Sequence, residues 1–172
     1  MKRHVALIGF MAAGKSTIGK RLARELGLPF VDTDAEIIAA HGPIEEIFAR
    51  EGEAAFREYE RAAVEAALLG ETKVVSLGGG AVTHAPTRDL LTEHTVRVFV
   101  EVPATTILAR SRRSQTPRPL LGEKPSLARI RELLALREPL YREAEIVIDG
   151  RGATSKVARA IALELRSALR PR

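Results

Sequence analysis

The chain contains no cysteine and no tryptophan. Without cysteine it can form no disulfide, offer no thiol nucleophile and build no zinc–thiolate site. That fits a reducing cytoplasm, which is the compartment expected here. Aromatic residues are scarce, at two tyrosines and five phenylalanines, and the arginines are scattered rather than clustered. No basic stripe interleaved with stacking residues is visible, so a nucleic-acid partner is not expected. The four histidines, at positions 4, 41, 84 and 94, have no metal-ligand spacing. No long apolar run is present. The stretch from Val5 to Phe10 is too short to span a bilayer, so no membrane partner is expected. It is followed by the charge of Lys15 and by no cleavage pattern, and reads as a buried strand rather than a leader. There is no internal repeat, low-complexity tract or long linker.

What is present is an ordinary globular composition, 45% hydrophobic and 28% charged, over 172 residues. This is the size of a single domain, expected here to span 1–172 and to act as a monomer. Such a chain buries roughly 70% of the surface its unfolded form exposes. The net charge is +5. Most of these charges read as solvated helix faces, and a nucleotide plus an anionic acceptor would account for the remainder.

Apolar periodicity outlines the elements. Val5–Ile8 is a continuous apolar run with β-branched members, as in a central parallel strand. Ile18, Leu22 and Leu26 form one face of a helix that Gly27 ends. Pro29–Asp32 reads as a second strand, with Thr33 and Asp34 as helix-start residues. After the break at His41-Gly42-Pro43 comes a short helix to Arg50. A longer one follows Gly52, with Phe56, Tyr59, Ala63 and Ala67 on one face. Strands are expected at Lys73–Leu77, Val96–Val102 and Ile146–Asp149. Helices are expected over Thr105–Arg110, from Ser126 (buried side Leu127, Ile130, Leu133, Leu134 and Leu140), and at the end with Val157, Ile161, Leu165 and Leu169. Residues 111–124, rich in Arg, Lys and Pro, read as a mobile surface segment. Five strands alternating with helices imply an α/β three-layer sandwich around a five-stranded parallel sheet.

Residues 9–17 read Gly-Phe-Met-Ala-Ala-Gly-Lys-Ser-Thr, a complete phosphate-binding loop between a strand and a helix. Gly9 and Gly14 free the backbone to curl so that successive N–H groups face one anion. The helix behind them adds its dipole. Lys15 supplies a point charge to the β- and γ-phosphates, and Ser16 a hydroxyl to Mg²⁺. Met11, Ala12, Ala13 and Thr17 complete the nucleotide-binding stretch. A switch GTPase would show an Asn-Lys-x-Asp base-reading motif, and none is found. A small-molecule kinase needs an acceptor site and a closing lid instead.

Five motifs, in order and counting the loop itself, resemble shikimate kinase of the bacterial, P-loop nucleoside-monophosphate-kinase-like type, over roughly residues 4–165. They are the loop form with Met11 and Gly19; Asp32-Thr33-Asp34; Phe56-Arg57-Glu58-Tyr59-Glu60; Gly78-Gly79-Gly80; and Arg118-Pro119-Leu120-Leu121, followed by Arg137-Glu138-Pro139-Leu140-Tyr141. The resemblance implies ATP-dependent phosphorylation of the 3-hydroxyl of shikimate, in aromatic amino-acid biosynthesis. It implies an acceptor-binding segment at about 33–61 and a lid at about 111–124. Asp32 would help hold Mg²⁺, and Asp34 would bind the acceptor hydroxyl. Arg57 and Arg137 would bind the acceptor carboxylate, with the glycines of 78–80 close to the acceptor. Arg118 would reach the transferring phosphoryl group.

Each assignment has a plainer alternative on the residues alone. On those residues Asp34 is a simple helix N-cap, Arg57 an ion-pair partner of Glu60 one turn on (a role compatible with the first), the triple glycine a flexible turn, and Arg137 a solvated helix residue. The resemblance further implies an adenine-packing arginine within Arg110-Ser111-Arg112-Arg113, with Arg112 or Arg113 preferred, and a second adenine-side residue near Arg151-Gly152. Pro117 precedes Arg118 and carries no functional assignment. Gluconate kinase, nucleotide kinase and a nucleotide-dependent regulatory protein stand as rival readings of the loop.

Overall fold

A computed structural model describes residues 4–115 and 118–168. Pro117 and Leu169 lie outside the described residues. Five strands form one sheet in the order β2-β3-β1-β4-β5, every neighbouring pair parallel. They are β1 His4–Ile8, β2 Phe30–Asp32, β3 Val74–Ser76, β4 Thr95–Glu101 and β5 Ile146–Asp149. The register sets Val5 of β1 between Val74 of β3 and Val96 of β4. Every residue of β1 is buried, which is why its sequence shows a continuous apolar run rather than alternation.

Among the described residues, six α-helices lie between the strands and a seventh follows β5: α1 Lys15–Leu26, α2 Thr33–His41, α3 Ile44–Ala67, α4 Ala85–His94, α5 Ala104–Arg113, α6 Leu127–Tyr141 and α7 Thr154–Ala168. With right-handed crossovers, α1 and α7 pack together on one face, and α3, α4, α5 and α6 cover the other. The core runs through Leu7, Val75, Val98 and Phe99 of the sheet, with Ile18 and Leu22 of α1 and Ile161 and Leu165 of α7 against it. Burying each such side chain contributes ~1.5–3 kcal/mol. Gly19 lets α1 approach the sheet, since a β-carbon there would sit 2.5 Å from the Phe30 ring.

Most expected elements are present, and the differences have physical causes. Gly27 ends α1 in the left-handed region at φ 66°. Gly52, at φ 86° and ψ 172°, breaks α3 into the two expected pieces. The longer piece, however, buries Phe56, Arg57, Glu60, Val64 and Ala67, while Tyr59 is only partly buried. An ion pair occupies core positions that an apolar pattern does not reveal. Helix α4 was not anticipated. Pro86 in its first turn and buried Leu91 were its signals. Helix α5 continues to Arg113, so residues 111–113 are helical and not part of an irregular segment.

Because β1 is flanked by β3 and β4, the chain turns one way after β1 and the other way after β3. The carboxyl ends of strands at such a reversal form the natural crevice of an open α/β sheet. The loop of residues 9–14, the Asp32–Asp34 pair and the triple glycine all lie there. No described helix is long and apolar enough to cross a membrane.

Candidate active site

The loop after β1 is held by cations on its carbonyl side. Lys15 Nζ donates to Gly9 O at 2.7 Å and to Phe10 O at 2.8 Å. Arg110, from α5, donates through Nη1 to Ala12 O at 3.2 Å and Ala13 O at 3.0 Å. Fixing a peptide carbonyl fixes the plane of the amide that follows it. These contacts therefore set the direction of the N–H groups of Met11 and Gly14. Gly9 and Gly14 have φ of 144° and 93°, and Ala12 adopts φ 62°, the only non-glycine positive φ among the described residues. A left-handed alanine costs roughly 1–2 kcal/mol, and strain of this kind gathers at ligand-binding loops. An ammonium has three donors, so Lys15 keeps one beyond its two loop bonds. Burial pulls its pKa down to about 8, against the opposing pull of Asp34 and Asp32.

Ser16 donates its hydroxyl to Oδ2 of Asp32. The other Asp32 oxygen accepts from the backbone N–H of Asp34 at 3.1 Å and of Ala35 at 3.2 Å. Asp32 is thus the N-cap of α2, and the reading of Asp34 as the cap is corrected. The cap turns β2 directly into α2 and leaves the Asp34 side chain facing the crevice. Among the described residues no group of three His, Asp or Glu could hold a metal by itself. One carboxylate and one hydroxyl beside a phosphate loop do fit a Mg²⁺ completed by phosphate oxygens and water.

Across from the loop, Arg57 and Arg137 are 7% and 4% exposed, and Glu60 is fully buried. The plainer alternative for Arg137, a solvated helix residue, is therefore ruled out. Arg57 Nη1 donates to Glu60 Oε2 at 2.7 Å and Nη2 to Glu53 Oε1 at 3.0 Å. Burial pushes the Glu60 carboxyl up to about 7 even though the guanidinium opposes it. Burial also raises the Asp34 carboxyl, with Asp32 adding repulsion and Lys15 and Arg57 opposing. Four buried polar atoms here have no protein partner: Asp34 Oδ1, Arg57 Nε, Glu60 Oε1 and Arg137 Nη1. Orphans of this kind are uncommon in folded proteins. Their convergence on one cleft marks a site for a polar ligand.

The triple glycine is not a flexible turn. A β-carbon on Gly78 would lie 2.6 Å from Glu60 Oε1 and 2.8 Å from Asp34 Oδ1. One on Gly79 would lie 2.8 Å from the Met11 amide nitrogen, and one on Gly80 would strike the Arg57 guanidinium. Each glycine therefore makes room for a different member of the site. Tyr141, wholly buried at the end of α6, donates its hydroxyl to Gly79 O and ties that turn to the helix carrying Arg137. Burial raises its pKa to about 12, so it is always a donor at neutral pH.

These groups line a cleft of about 440 Å³. It gathers Met11, Ala12, Gly14, Lys15, Ser16 and Thr17 of the loop with Asp32, Asp34, Arg57, Gly78, Gly79, Gly80, Arg118 and Arg137. Gly9 and Ala13 lie behind the loop surface. Arg112 instead lines an adjoining hollow that shares Arg118 and Pro119 with the cleft. Arg113 is exposed with no contact to the loop, and Arg151 is exposed and paired with Asp149 at 2.7 Å. Of the arginines at positions 110–113, only Arg110 touches the phosphate loop. Sequence reasoning missed its bracing role and that of Tyr141. It also missed the apolar wall of Ile38, Ile44 and Phe48, whose signal was the amphipathic start of α3.

A parallel sheet of this order, with a phosphate loop after β1, defines a P-loop protein of the nucleoside-monophosphate-kinase type. The model of the family described as shikimate kinase matches residues 11–169. Shikimate kinase of Mycobacterium avium is 48% identical over 148 residues, 86% of this chain and 83% of that protein. That of Moorella thermoacetica is 43% identical over 172 residues, 99% of this chain and 96% of that one. The structure of shikimate kinase from Acinetobacter baumannii in complex with shikimate superposes with a TM-score of 0.90. It is 38% identical and covers 98% of this chain and 96% of its own. The chain belongs to the shikimate kinase family.

Proposed function

We propose that this chain transfers the γ-phosphoryl group of ATP to the 3-hydroxyl of shikimate, giving shikimate 3-phosphate. The observation that carries this reading is the set of orphaned polar atoms on Asp34, Arg57, Glu60 and Arg137, residues that line one cleft with the phosphate loop. Two buried guanidinium groups suit one carboxylate, and a carboxylate nearer the loop suits an alcohol. Shikimate carries both groups. The solved relative from A. baumannii holds shikimate, which supports the same acceptor here.

On this reading the loop amides and Lys15 hold the β- and γ-phosphates. Asp34 orients the acceptor hydroxyl and receives its proton as the new bond forms. Arg57, braced by Glu60, and Arg137 clamp the acceptor carboxylate. Arg118 comes from a lid at about 111–124, and its place at the cleft edge with Pro119 and Leu120 supports a role beside the transferring group. Ser16 and Asp32 would hold a Mg²⁺ ion, which would offset the negative charge of the phosphates. Adenine lies on the side of Arg112, Arg113 and Arg151. Residues 33–61 form the acceptor-binding part of one domain, and the protein works as a cytoplasmic monomer without nucleic acid or membrane. Phosphoryl transfer needs placement and fixed charge more than covalent chemistry, and that is what this set of residues provides.

The test is ADP release, followed by a coupled assay, with ATP–Mg²⁺ and a panel of shikimate, gluconate and nucleoside monophosphates. Release dependent on shikimate alone is expected. Release with gluconate or a nucleotide instead would replace the acceptor and keep the kinase. Silence across the panel, with ATP bound, would overturn the reading.

A further inference from the structure

On the sheet face opposite the acceptor wall, α1 and α7 lie side by side. Their exposed surfaces carry Lys20, Arg21, Arg24, Lys156, Arg159 and Arg166 against only Glu25 and Glu164. Six cations against two carboxylates leave a surplus of four, most of the +5 of the whole chain. Arg21, Arg24, Lys156 and Arg159 line one groove of about 640 Å³, with Glu25 and Ser155 as its other walls. None of the six lining residues belongs to the cleft already described.

The arrangement is costly in isolation. Arg21 and Arg24 are one turn apart on α1, as Lys156 and Arg159 are on α7, and like charges at that spacing repel. Elsewhere Arg50, Arg61, Arg129, Arg142 and Arg151 each hold a carboxylate. Among the described residues, the four cations of the groove have no ion pair and no side-chain hydrogen bond. Four donors brought together from two helices around one hollow match a compact anion of several charges. The groove has no aromatic residue on which a base could stack. It also lacks the buried aromatic or aliphatic anchor of a protein interface.

We infer that the α1–α7 groove is a second, non-catalytic binding site for a small multivalent phosphate anion, held by Arg21, Arg24, Lys156 and Arg159. Occupancy neutralises the facing charges of the two helices, one of which starts at Lys15. The inference does not depend on which acceptor the cleft takes.

Inorganic pyrophosphate is the probe. It is titrated calorimetrically into the full chain in metal-free buffer, with ADP and shikimate saturating so that the cleft is filled. One further site per chain is expected, weakening as salt rises. The double variant Arg24→Gln/Arg159→Gln should bind pyrophosphate at least roughly 100-fold more weakly, since two charge-assisted contacts are lost. Its kcat should stay within about twofold of the parent, since hydrogen bonds to the substrates are untouched. Arg21→Gln/Lys156→Gln serves as an independent pair if the first folds poorly. No site in the parent chain, or an affinity unchanged from the parent's in both double variants, would overturn the inference. Binding of a single-stranded oligonucleotide through these residues, without pyrophosphate binding, would overturn it in favour of a nucleic-acid surface.

Discussion

Arg57 Nη1 and Glu60 Oε2 stand 2.7 Å apart, one helical turn from each other and both cut off from solvent. The contact aims the guanidinium while leaving Nε without a partner. Arg57→Ala should weaken shikimate binding by roughly 10- to 150-fold, the worth of a charged hydrogen bond, and leave ATP binding unchanged. Steady-state kinetics in both substrates check this. An unchanged KM for shikimate would refute the clamp.

Glu60 also gives a pH signature. Its folded-state pKa is raised from 4.5 to about 7. A carboxyl raised in this way adds stability below pH ~4.5 and loses it as pH climbs through ~7. Glu60→Gln, which cannot ionise, should flatten the fall in Tm over that window. A parent and variant with parallel Tm–pH curves would show that the pair is ionised throughout.

The glycines at 79 and 80 should fail differently. A methyl group at position 80 meets the movable end of Arg57, whereas one at 79 meets the backbone nitrogen of Met11. Gly80→Ala is expected to raise the KM for shikimate with nucleotide affinity retained. Gly79→Ala should impair nucleotide binding as well. Equal effects on both ligands from both substitutions would contradict the assignment.

Asp32 has two roles that substitution separates. Asparagine can still accept from the N–H groups of Asp34 and Ala35, so Asp32→Asn should stay within ~0.5 kcal/mol of parent stability. It should nonetheless require more Mg²⁺ for activity. Asp32→Ala loses the cap too, at a cost of about 1 kcal/mol. Denaturant melts beside a Mg²⁺ titration of activity distinguish these outcomes.

Lys15 titrates near 8 because burial disfavours its charge. Phosphate binding needs the ammonium, so nucleotide affinity should fall as pH rises through about 8 and binding should take up a proton there. Calorimetry in buffers of differing ionisation enthalpy reads the proton. A flat affinity from pH 7 to 9.5 would exclude it.

The apolar periods of β1, α1 and α7 and the glycines at 27, 42 and 52 were legible because they encode local geometry. So was the phosphate loop, whose residues are consecutive. Less legible were roles defined only in three dimensions. Arg137 has polar and apolar neighbours typical of a surface helix, yet α6 turns it into the core. Arg110 lies almost one hundred positions from the carbonyls it braces. Asp32 and Asp34 exchange the roles of cap and free carboxylate according to where β2 stops, a distinction of two residues that composition does not carry. Helix α4 went unread because its pattern is weak and Pro86 resembles a loop signal as much as a helix start.

Ile37, Ile47 and Phe56 pack into a small cluster of their own, apart from the core beneath the sheet. Gly42 and Gly52 interrupt the helices that carry it. Two separately packed bodies can be edited separately. Changes around this cluster can widen or narrow the wall formed by Ile38, Ile44 and Phe48 without repacking the core around the sheet. One wall of the cleft can thus change shape while the wall built on β1 keeps its packing.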